Sequence, residues 1–182
     1  MRIGIDLDDT ICNTTEMFHK YLDIYSKKKH LNPLDIMNDE NLKENFFDEY
    51  IGKIYEEVEI KRDAKKVLKR LKSKGNEIYI ITAREDAITK GGKTILEITK
   101  EWLKKNEIFV NEIVLSCYGD KKANICKEHL INLMIEDNPY NYKKISTNGI
   151  KCLLFDDRER YNLKENYVTT WIDIEKYIER NR

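Results

Sequence analysis

The sequence predicts an α/β fold in which a parallel sheet is flanked by helices. Two observations predict this fold. Short apolar runs that suit buried strands alternate with stretches of helical periodicity. Several of these runs also end in polar residues, as strands do where an open parallel sheet binds its ligands. The 182 residues suffice for one domain, or for one domain with a modest insertion.

The first predicted strand comprises residues 3–7, an apolar run that gives way to acidic residues. Apolar side chains at helical spacing then predict a helix over residues 14–29. We interpret Asn32-Pro33 as a break, and the next helical pattern starts at Asn45.

A further helix is predicted over residues 62–74, followed by a second core strand over residues 77–82. A βαβ unit needs about 30 residues, whereas roughly 70 separate the starts of these two strands. The surplus predicts a small helical cap at residues 14–60, inserted after the first strand. Residues 1–13 and 61–182 would then form the core.

After residue 82, helices and strands alternate regularly. The predicted helices cover residues 93–105, 121–129 and 142–146, and the predicted strands cover residues 113–115, 133–135 and 151–155. An extended piece and a closing helix are expected within residues 168–182. Short βα repeats of this kind favour a parallel sheet with helices on both faces.

Composition excludes several classes of partner. The 33 basic and 33 acidic residues give a formal net charge of zero, which argues against binding to nucleic acid polymers or anionic membranes. No apolar run approaches the roughly 18 residues of a membrane span, and the first strand begins too early for a signal peptide. The four cysteines form no CxxC pair and are expected to be reduced thiols in a cytoplasmic protein. The oligomeric state is not indicated.

Polar groups follow the core strands at their predicted ends. Asp6 and Asp8 follow the first strand, Thr82 ends the second, and Glu136 and Asp137 follow the strand at residues 133–135. Because the carboxyl ends of parallel strands share one edge of a sheet, we expect these side chains to converge. Each group also has a plain structural explanation, as a strand residue, a turn or a helix start.

The expected cluster of acids needs positive charge nearby. Two carboxylates about 4 Å apart repel by roughly 4 kcal/mol at an effective dielectric constant near 20. A bound cation or a lysine would offset this repulsion, and the Lys121-Lys122 pair is available. Carboxylates, a hydroxyl and a lysine suit phosphoryl transfer assisted by Mg²⁺, a cation that prefers hard oxygen ligands.

This combination of motifs resembles the haloacid dehalogenase superfamily of phosphotransferases. The superfamily pattern is DxDx[TV] after a first strand, a Thr or Ser after a second, then a lysine, then an acidic pair. The matching positions, in order, are Asp6, Asp8 and Thr10, then Thr82, then Lys121 or Lys122, then Glu136 and Asp137. The ITAR, KANIC and IEDNP segments look most like the 5′(3′)-deoxyribonucleotidase-like branch, which also has a small helical cap.

The resemblance implies a Rossmann-like core and a role for each acid. Asp6 would attack phosphorus and form an aspartyl-phosphate, and Asp8 would protonate the leaving oxygen and later deprotonate water. Mg²⁺ would be held by Asp6, by the backbone carbonyl of Asp8 and by Asp137, with Glu136 in support. Thr82 would bind a phosphoryl oxygen.

The resemblance also implies substrate contacts and a catalytic lysine. Lys122 fits the spacing of the branch better than Lys121, which stays open as an alternative. The expected substrate-binding residues are Thr10, Thr82, Ala83, Arg84, Lys121 and Lys122. Phe18, Phe47 and Tyr50 are candidates for stacking on a base.

The expected function is therefore a Mg²⁺-dependent phosphomonoesterase that acts on nucleoside or deoxynucleoside monophosphates. A phosphatase for another small metabolite, such as a sugar phosphate, is the alternative. A non-catalytic phospho-acceptor switch or a binding module fits less well. In receiver-type domains the phosphoacceptor precedes the Thr and the Lys, whereas here the later acids follow the Lys.

Overall fold

The computed structural model describes residues 1–161 and 166–181. Its strands form a single six-stranded sheet in these residues. In chain order they are β1 (Arg2–Ile5), β2 (Glu77–Ile81), β3 (Glu112–Val114), β4 (Leu133–Glu136), β5 (Cys152–Phe155) and β6 (Tyr167–Val168).

The strand order across the sheet is β3-β2-β1-β4-β5-β6, and every pairing is parallel. The predicted parallel α/β sheet is thus confirmed. Ile5 of β1 pairs with Ile80 of β2 and with Ile135 of β4, so the three central strands end at one level. The strand order changes direction between β1 and β4, because β2 and β3 lie on one side of β1 whereas β4, β5 and β6 lie on the other. Open α/β sheets form their ligand crevice at such a switch point.

The helices pack around this sheet. They are α1 (Thr14–Lys29), α2 (Pro33–Asn38), α3 (Glu40–Glu57), α4 (Ala64–Ser73), α5 (Ile95–Lys105), α6 (Asp120–Glu128), α7 (Pro139–Thr147) and α8 (Trp171–Arg180). Within the described ranges, no helix is both long enough and apolar enough to cross a membrane.

Two helix starts differ from the expectation for one shared reason. Asn32 accepts a hydrogen bond from the backbone of Leu34, and Pro33 is the first residue of α2. Asn-Pro therefore begins a helix here instead of only breaking one, because Pro suits the first helical position. Asn138 and Pro139 start α7 in the same way, three residues before the expected start.

Two further elements also differ. Asp39 caps α3, so this helix begins five residues before the expected Asn45. The expected extended piece near Val168 is a strand that pairs with β5. Arg182, the last residue of the expected closing helix, lies outside the described residues.

Helices α1–α3, which we call the cap helices, lie between β1 and β2 in the chain. Aromatic rings pack them together, with Tyr25 5.6 Å from Phe46 and Tyr21 5.2 Å from Tyr50 between ring centroids. Their buried side chains are continuous with those of the sheet. The division into a cap at residues 14–60 and a core stays a prediction.

Candidate active site

Three acids meet where β1 and β4 end. The backbone N–H of Asp6 donates to the carbonyl of Ile135 at 2.9 Å, which holds the first acid beside the end of β4. As a result, carboxylate oxygens of Asp6, Glu136 and Asp137 all lie within 4.8 Å of one another. The structure thus brings together acids that are 130 residues apart in sequence.

Lys122 forms ion pairs with two of these acids. Its side chain is fully buried, and its Nζ lies 2.6 Å from Asp6 Oδ1 and 2.6 Å from Glu136 Oε2. Burial alone would lower the pKa of Lys122, but the two carboxylates outweigh burial and raise the pKa, so the ammonium stays charged. Lys121 is exposed on α6, and it is Lys122 that contacts the acids.

Glu136 is held by protein groups on both carboxylate oxygens. Oε2 accepts from Lys122, while Oε1 accepts from the backbone N–H of Asn138 at 3.1 Å and from the amide of Asn141 at 3.3 Å. These contacts fix Glu136 as the residue that orients Lys122. Its expected support of a metal ion stays a prediction.

Asp6 and Asp137 carry more negative charge than the neighbouring cations offset. Burial raises the pKa of Asp137 to about 7, and Glu136 and Asp9 act in the same direction against Arg160. Burial also raises the pKa of Asp6 well above its usual range, with Lys122 acting against it. A divalent cation would relieve both groups, and hard carboxylate oxygens suit Mg²⁺, so the residues present fit such an ion.

Asp8 is paired with an arginine from the end of β2. Arg84 Nε lies 2.9 Å from Asp8 Oδ2, and Arg84 Nη2 lies 2.7 Å from Oδ1. The hydroxyl of Thr14 donates to the same carboxylate. Burial would raise the pKa of Asp8, but Arg84 and Thr14 outweigh burial and lower it. In the free protein Asp8 is therefore an ionised carboxylate.

The other residues expected to bind substrate lie in different surroundings. Thr82 is fully buried at the end of β2, and its Oγ1 accepts from the backbone N–H of Arg84 at 3.4 Å. Ala83 is exposed and lines a cavity. Thr10 is fully buried, and its Oγ1 has no hydrogen-bond partner in the part of the chain that the structure describes. These substrate roles remain predictions.

A cavity of about 520 Å³ opens beside Asp8, between α3 and residues 83–95. Its walls are largely apolar. They are formed by Phe47, Ile51, Tyr55, Ala83, Ala87, Ile88 and Ile95, together with the polar residues Asp8, Asp48, Arg84, Glu85 and Thr89.

Helix α3 presents two apolar rows, one residue apart. Phe46, Tyr50 and Ile54 form the row that is buried in the core. The second row lines the cavity and consists of Phe47, Ile51 and Tyr55. Phe47 is therefore placed as a stacking candidate should be, whereas Tyr50 packs against Tyr21, Tyr25 and Phe46. Phe18 does not line the cavity and packs on Phe46 and Phe47.

Sequence reasoning missed several residues of this site, of which Tyr55 and Asn141 are two. Tyr55 has a signal in the sequence, because it follows Phe47 and Ile51 at four-residue spacing. Buried Asn141 accepts from the backbone N–H of Gly119 at 2.8 Å and donates to Glu136, so it ties the start of α6 to the end of β4. A single asparagine inside a helix gives no comparable signal.

Known proteins are similar to this chain in sequence and in fold. A nucleotidase from Clostridium acetobutylicum is 29% identical in an alignment that is 197 residues long and covers 99% of this chain and 94% of that protein. A haloacid dehalogenase-like hydrolase from Streptococcus pneumoniae superposes with a TM-score of 0.72 at 13% identity and 97% coverage of both chains. YfnB from Bacillus subtilis, whose structure is described as bound to magnesium, superposes with a TM-score of 0.70 at 12% identity and 97% coverage of both chains.

The structural similarities, at such low identity, establish the fold. Together with the family match, which covers residues 1–182, they confirm the predicted superfamily. The chain belongs to the family described as 5′ nucleotidase, deoxy (pyrimidine), cytosolic type C protein.

Proposed function

We propose that this protein is a Mg²⁺-dependent phosphomonoesterase that acts on nucleoside monophosphates through an aspartyl-phosphate at Asp6. The observation that carries the proposal is the placement of Asp6. A carboxylate oxygen of Asp6 lies 2.6 Å from the buried ammonium of Lys122 and within 4.8 Å of a carboxylate oxygen of Asp137. Asp8, two residues further along the chain, lines the largely apolar cavity. A carboxylate nucleophile with a fixed cation suits attack on a phosphoryl group.

In the first half-reaction an oxygen of Asp6 bonds to phosphorus while the bond from phosphorus to the ester oxygen breaks. Asp8 gives a proton to that leaving oxygen. The negative charge of an approaching phosphoryl group opposes the effect of Arg84 and raises the proton affinity of Asp8, which takes the proton that it later donates from solvent as the complex forms. Lys122 stays charged and offsets the charge on Asp6 and on the phosphoryl oxygens.

In the second half-reaction a water molecule attacks the phosphorus of the aspartyl-phosphate. Asp8 takes the proton of this water, the bond from Asp6 to phosphorus breaks, and inorganic phosphate and the free carboxylate result. Thr82, at the end of β2, would bind one phosphoryl oxygen.

The residues that would hold Mg²⁺ are Asp6, Asp137 and the backbone carbonyl of Asp8. When bound, the ion supplies positive charge that keeps the carboxylates deprotonated and balances the transferring phosphoryl group. The raised pKa of Asp6 supports this requirement, because a protonated carboxyl is a poor nucleophile.

The cavity favours a nucleoside over a sugar as the leaving group. The aromatic rings of Phe47 and Tyr55 and the aliphatic Ile51 suit the flat face of a base. Hydroxyl groups of a sugar phosphate that lie against these apolar side chains would have no hydrogen-bond partner there. The name of the similar clostridial protein supports the same substrate class. The proposal includes a cytoplasmic enzyme, which the four unpaired cysteines support.

The test is phosphate release from deoxynucleoside monophosphates, ribonucleotides, sugar phosphates and p-nitrophenyl phosphate, with Mg²⁺ or with EDTA. Turnover that needs Mg²⁺ and is abolished by Asp6→Asn is expected, with nucleoside monophosphates preferred. Asp23→Asn, at an exposed position of α1, is the matched control and should keep full activity. Preference for sugar phosphates would favour the alternative, and no turnover by the folded protein would contradict the proposal.

A further inference from the structure

We infer that Arg84 is a positioning residue: it holds the carboxylate of Asp8 in one orientation, and Tyr55 of the cap helices holds Arg84. The inference rests on the proposed function, in which Asp8 protonates the leaving group. Arg84 would then affect catalysis through Asp8 instead of through a contact with the substrate.

The contact between Arg84 and Asp8 has two points. Nε faces one carboxylate oxygen at 2.9 Å and Nη2 faces the other at 2.7 Å. A two-point contact between planar groups fixes both the distance and the rotation of the carboxylate, which one hydrogen bond cannot do. Because Asp8 follows β1 in a loop, its side chain depends on such a contact for a defined orientation.

Arg84 is itself immobilised from several sides. Its residue is only 3% exposed, and its Nη1 donates to the hydroxyl of Thr99 on α5 at 3.2 Å. The ring of Tyr55 covers the guanidinium, with Arg84 Cζ 3.7 Å from the ring centroid. An arginine that reaches out for substrate would need free donors and room to move, and the buried, stacked guanidinium has little of either.

Tyr55 connects this arrangement to the cavity. It lies on α3 in the same row as Phe47 and Ile51, which line the proposed site of the leaving group. The helix that packs against the leaving group therefore also sets the position of the arginine that orients the proton donor. We expect substrates that fill this cavity to benefit most from the contact between Arg84 and Asp8.

The test compares two substrates that differ in their need for a proton donor. A nucleoside leaves as an alkoxide and requires protonation, whereas p-nitrophenolate is stable without it. For Arg84→Met, the single-turnover rate of nucleoside release from a nucleoside monophosphate should fall by about 100-fold or more. The single-turnover rate of p-nitrophenolate release should fall by less than about tenfold, with the half-saturating concentration of both substrates little changed. A large rise in the half-saturating concentration, or an equal fall in both release rates, would overturn the inference.

Three variants make the result interpretable. Asp8→Asn must show the same dependence on the leaving group, and if it does not, the proposed role of Asp8 fails. If Asp8→Asn shows this dependence and Arg84→Met does not, the inference alone fails. Arg70→Met, which removes a half-buried arginine that pairs with the buried Glu175 of α8, should keep the wild-type ratio of the two release rates.

Tyr55 gives an independent test that leaves Arg84 in place. Tyr55→Leu removes the ring that covers the guanidinium. At saturating concentrations of both substrates it should shift the ratio of the two release rates in the same direction as Arg84→Met, because a lost contact with the base lowers substrate affinity and is removed by saturation. Tyr55→Phe keeps the ring and should keep the ratio close to that of the wild type. Equal ratios in the two variants, with thermal unfolding showing both to be folded, would contradict the inference. This pair also decides the matter if Arg84→Met does not fold.

Discussion

Replacing Lys122 with Met removes the one cation that contacts both Asp6 and Glu136 among the described residues. At 2.6 Å and an effective dielectric constant near 20, each ion pair has a Coulomb attraction of about 6 kcal/mol. The cost of removing three charged groups from water offsets most of this attraction. What the variant leaves behind is two buried carboxylates without their cation.

The expected loss in the free energy of unfolding follows from the repulsion between these two carboxylates. The two carboxylates have oxygens within 4.8 Å, which corresponds to a repulsion of about 3.5 kcal/mol at the same dielectric constant. Breaking a buried pair from one side typically costs about 3–5 kcal/mol. We therefore expect Lys122→Met to lower the free energy of unfolding by about 3–5 kcal/mol and to abolish phosphatase activity.

The assay is urea-induced unfolding at neutral pH in EDTA. With a slope near 2 kcal/mol per molar urea, the midpoint should fall by about 2 M. Lys121→Met, at the exposed neighbouring position, should change the free energy of unfolding by less than about 0.5 kcal/mol. The double variant with Glu136→Gln should recover about half of the loss, because it removes the repulsion between the carboxylates and keeps an oxygen that accepts from Asn138 and Asn141. A loss below about 1 kcal/mol, or no recovery, would refute the reasoning.

Three further predictions follow from contacts around the site and on the surface. Asn141→Leu leaves Glu136 Oε1 and a backbone N–H without their amide partner, so unfolding measurements should show a loss of about 1–3 kcal/mol and kcat should fall. Mg²⁺ should raise the unfolding temperature more at pH 8 than at pH 6, because Asp137, with a pKa raised to about 7, must lose its proton to bind the ion. Glu175→Gln should lower the unfolding temperature at pH 7, and the difference should shrink as pH falls below the ordinary glutamate pKa of about 4.3, because the hydrogen bond from Arg70 lowers the pKa of Glu175.

Each of these three predictions has its own control variant or its own expected direction of change with pH. Asn124→Leu, at an exposed position of α6, should leave both stability and kcat nearly unchanged. A folded Asp137 keeps its proton up to about pH 7 whereas the unfolded chain loses it near pH 4, so this group makes the metal-free protein less stable as pH rises through that window. A Mg²⁺ effect that does not depend on pH would contradict this assignment. For Glu175, whose pKa is lowered on folding, stability is instead lost as pH falls.

The sheet was predictable because its signals are local. Apolar runs mark the central strands, and an acid or a threonine directly after each run marks its end. The interpretation of Asn32-Pro33 as a break is confirmed, since α1 ends at Lys29, but it was incomplete for a reason that is also local. Asn-Pro stops a preceding helix and can start the next one, and the sequence alone does not say whether the following residues continue as a helix.

The contacts inside the site were less predictable because they depend on distant residues. Arg84 and Asp8 are 76 residues apart, and neither segment contains a pattern that predicts their ion pair. On α3, Tyr50 and Tyr55 are both aromatic and both belong to an apolar row. Which row faces the core depends on what packs across the helix. The sequence therefore predicts the kinds of group at the site better than their partners.

The central claim, an aspartyl-phosphate at Asp6, is tested most directly by trapping it. Asp8→Asn lacks the proposed base for the second half-reaction, yet it can still release p-nitrophenolate, which needs no proton donor. We expect a burst of about one p-nitrophenolate per protein molecule in the presence of Mg²⁺. Reduction of the quenched protein with borohydride should then convert residue 6 to homoserine, as seen by mass spectrometry of the peptide. A burst without homoserine at this position, or with homoserine at another acid, would contradict the account.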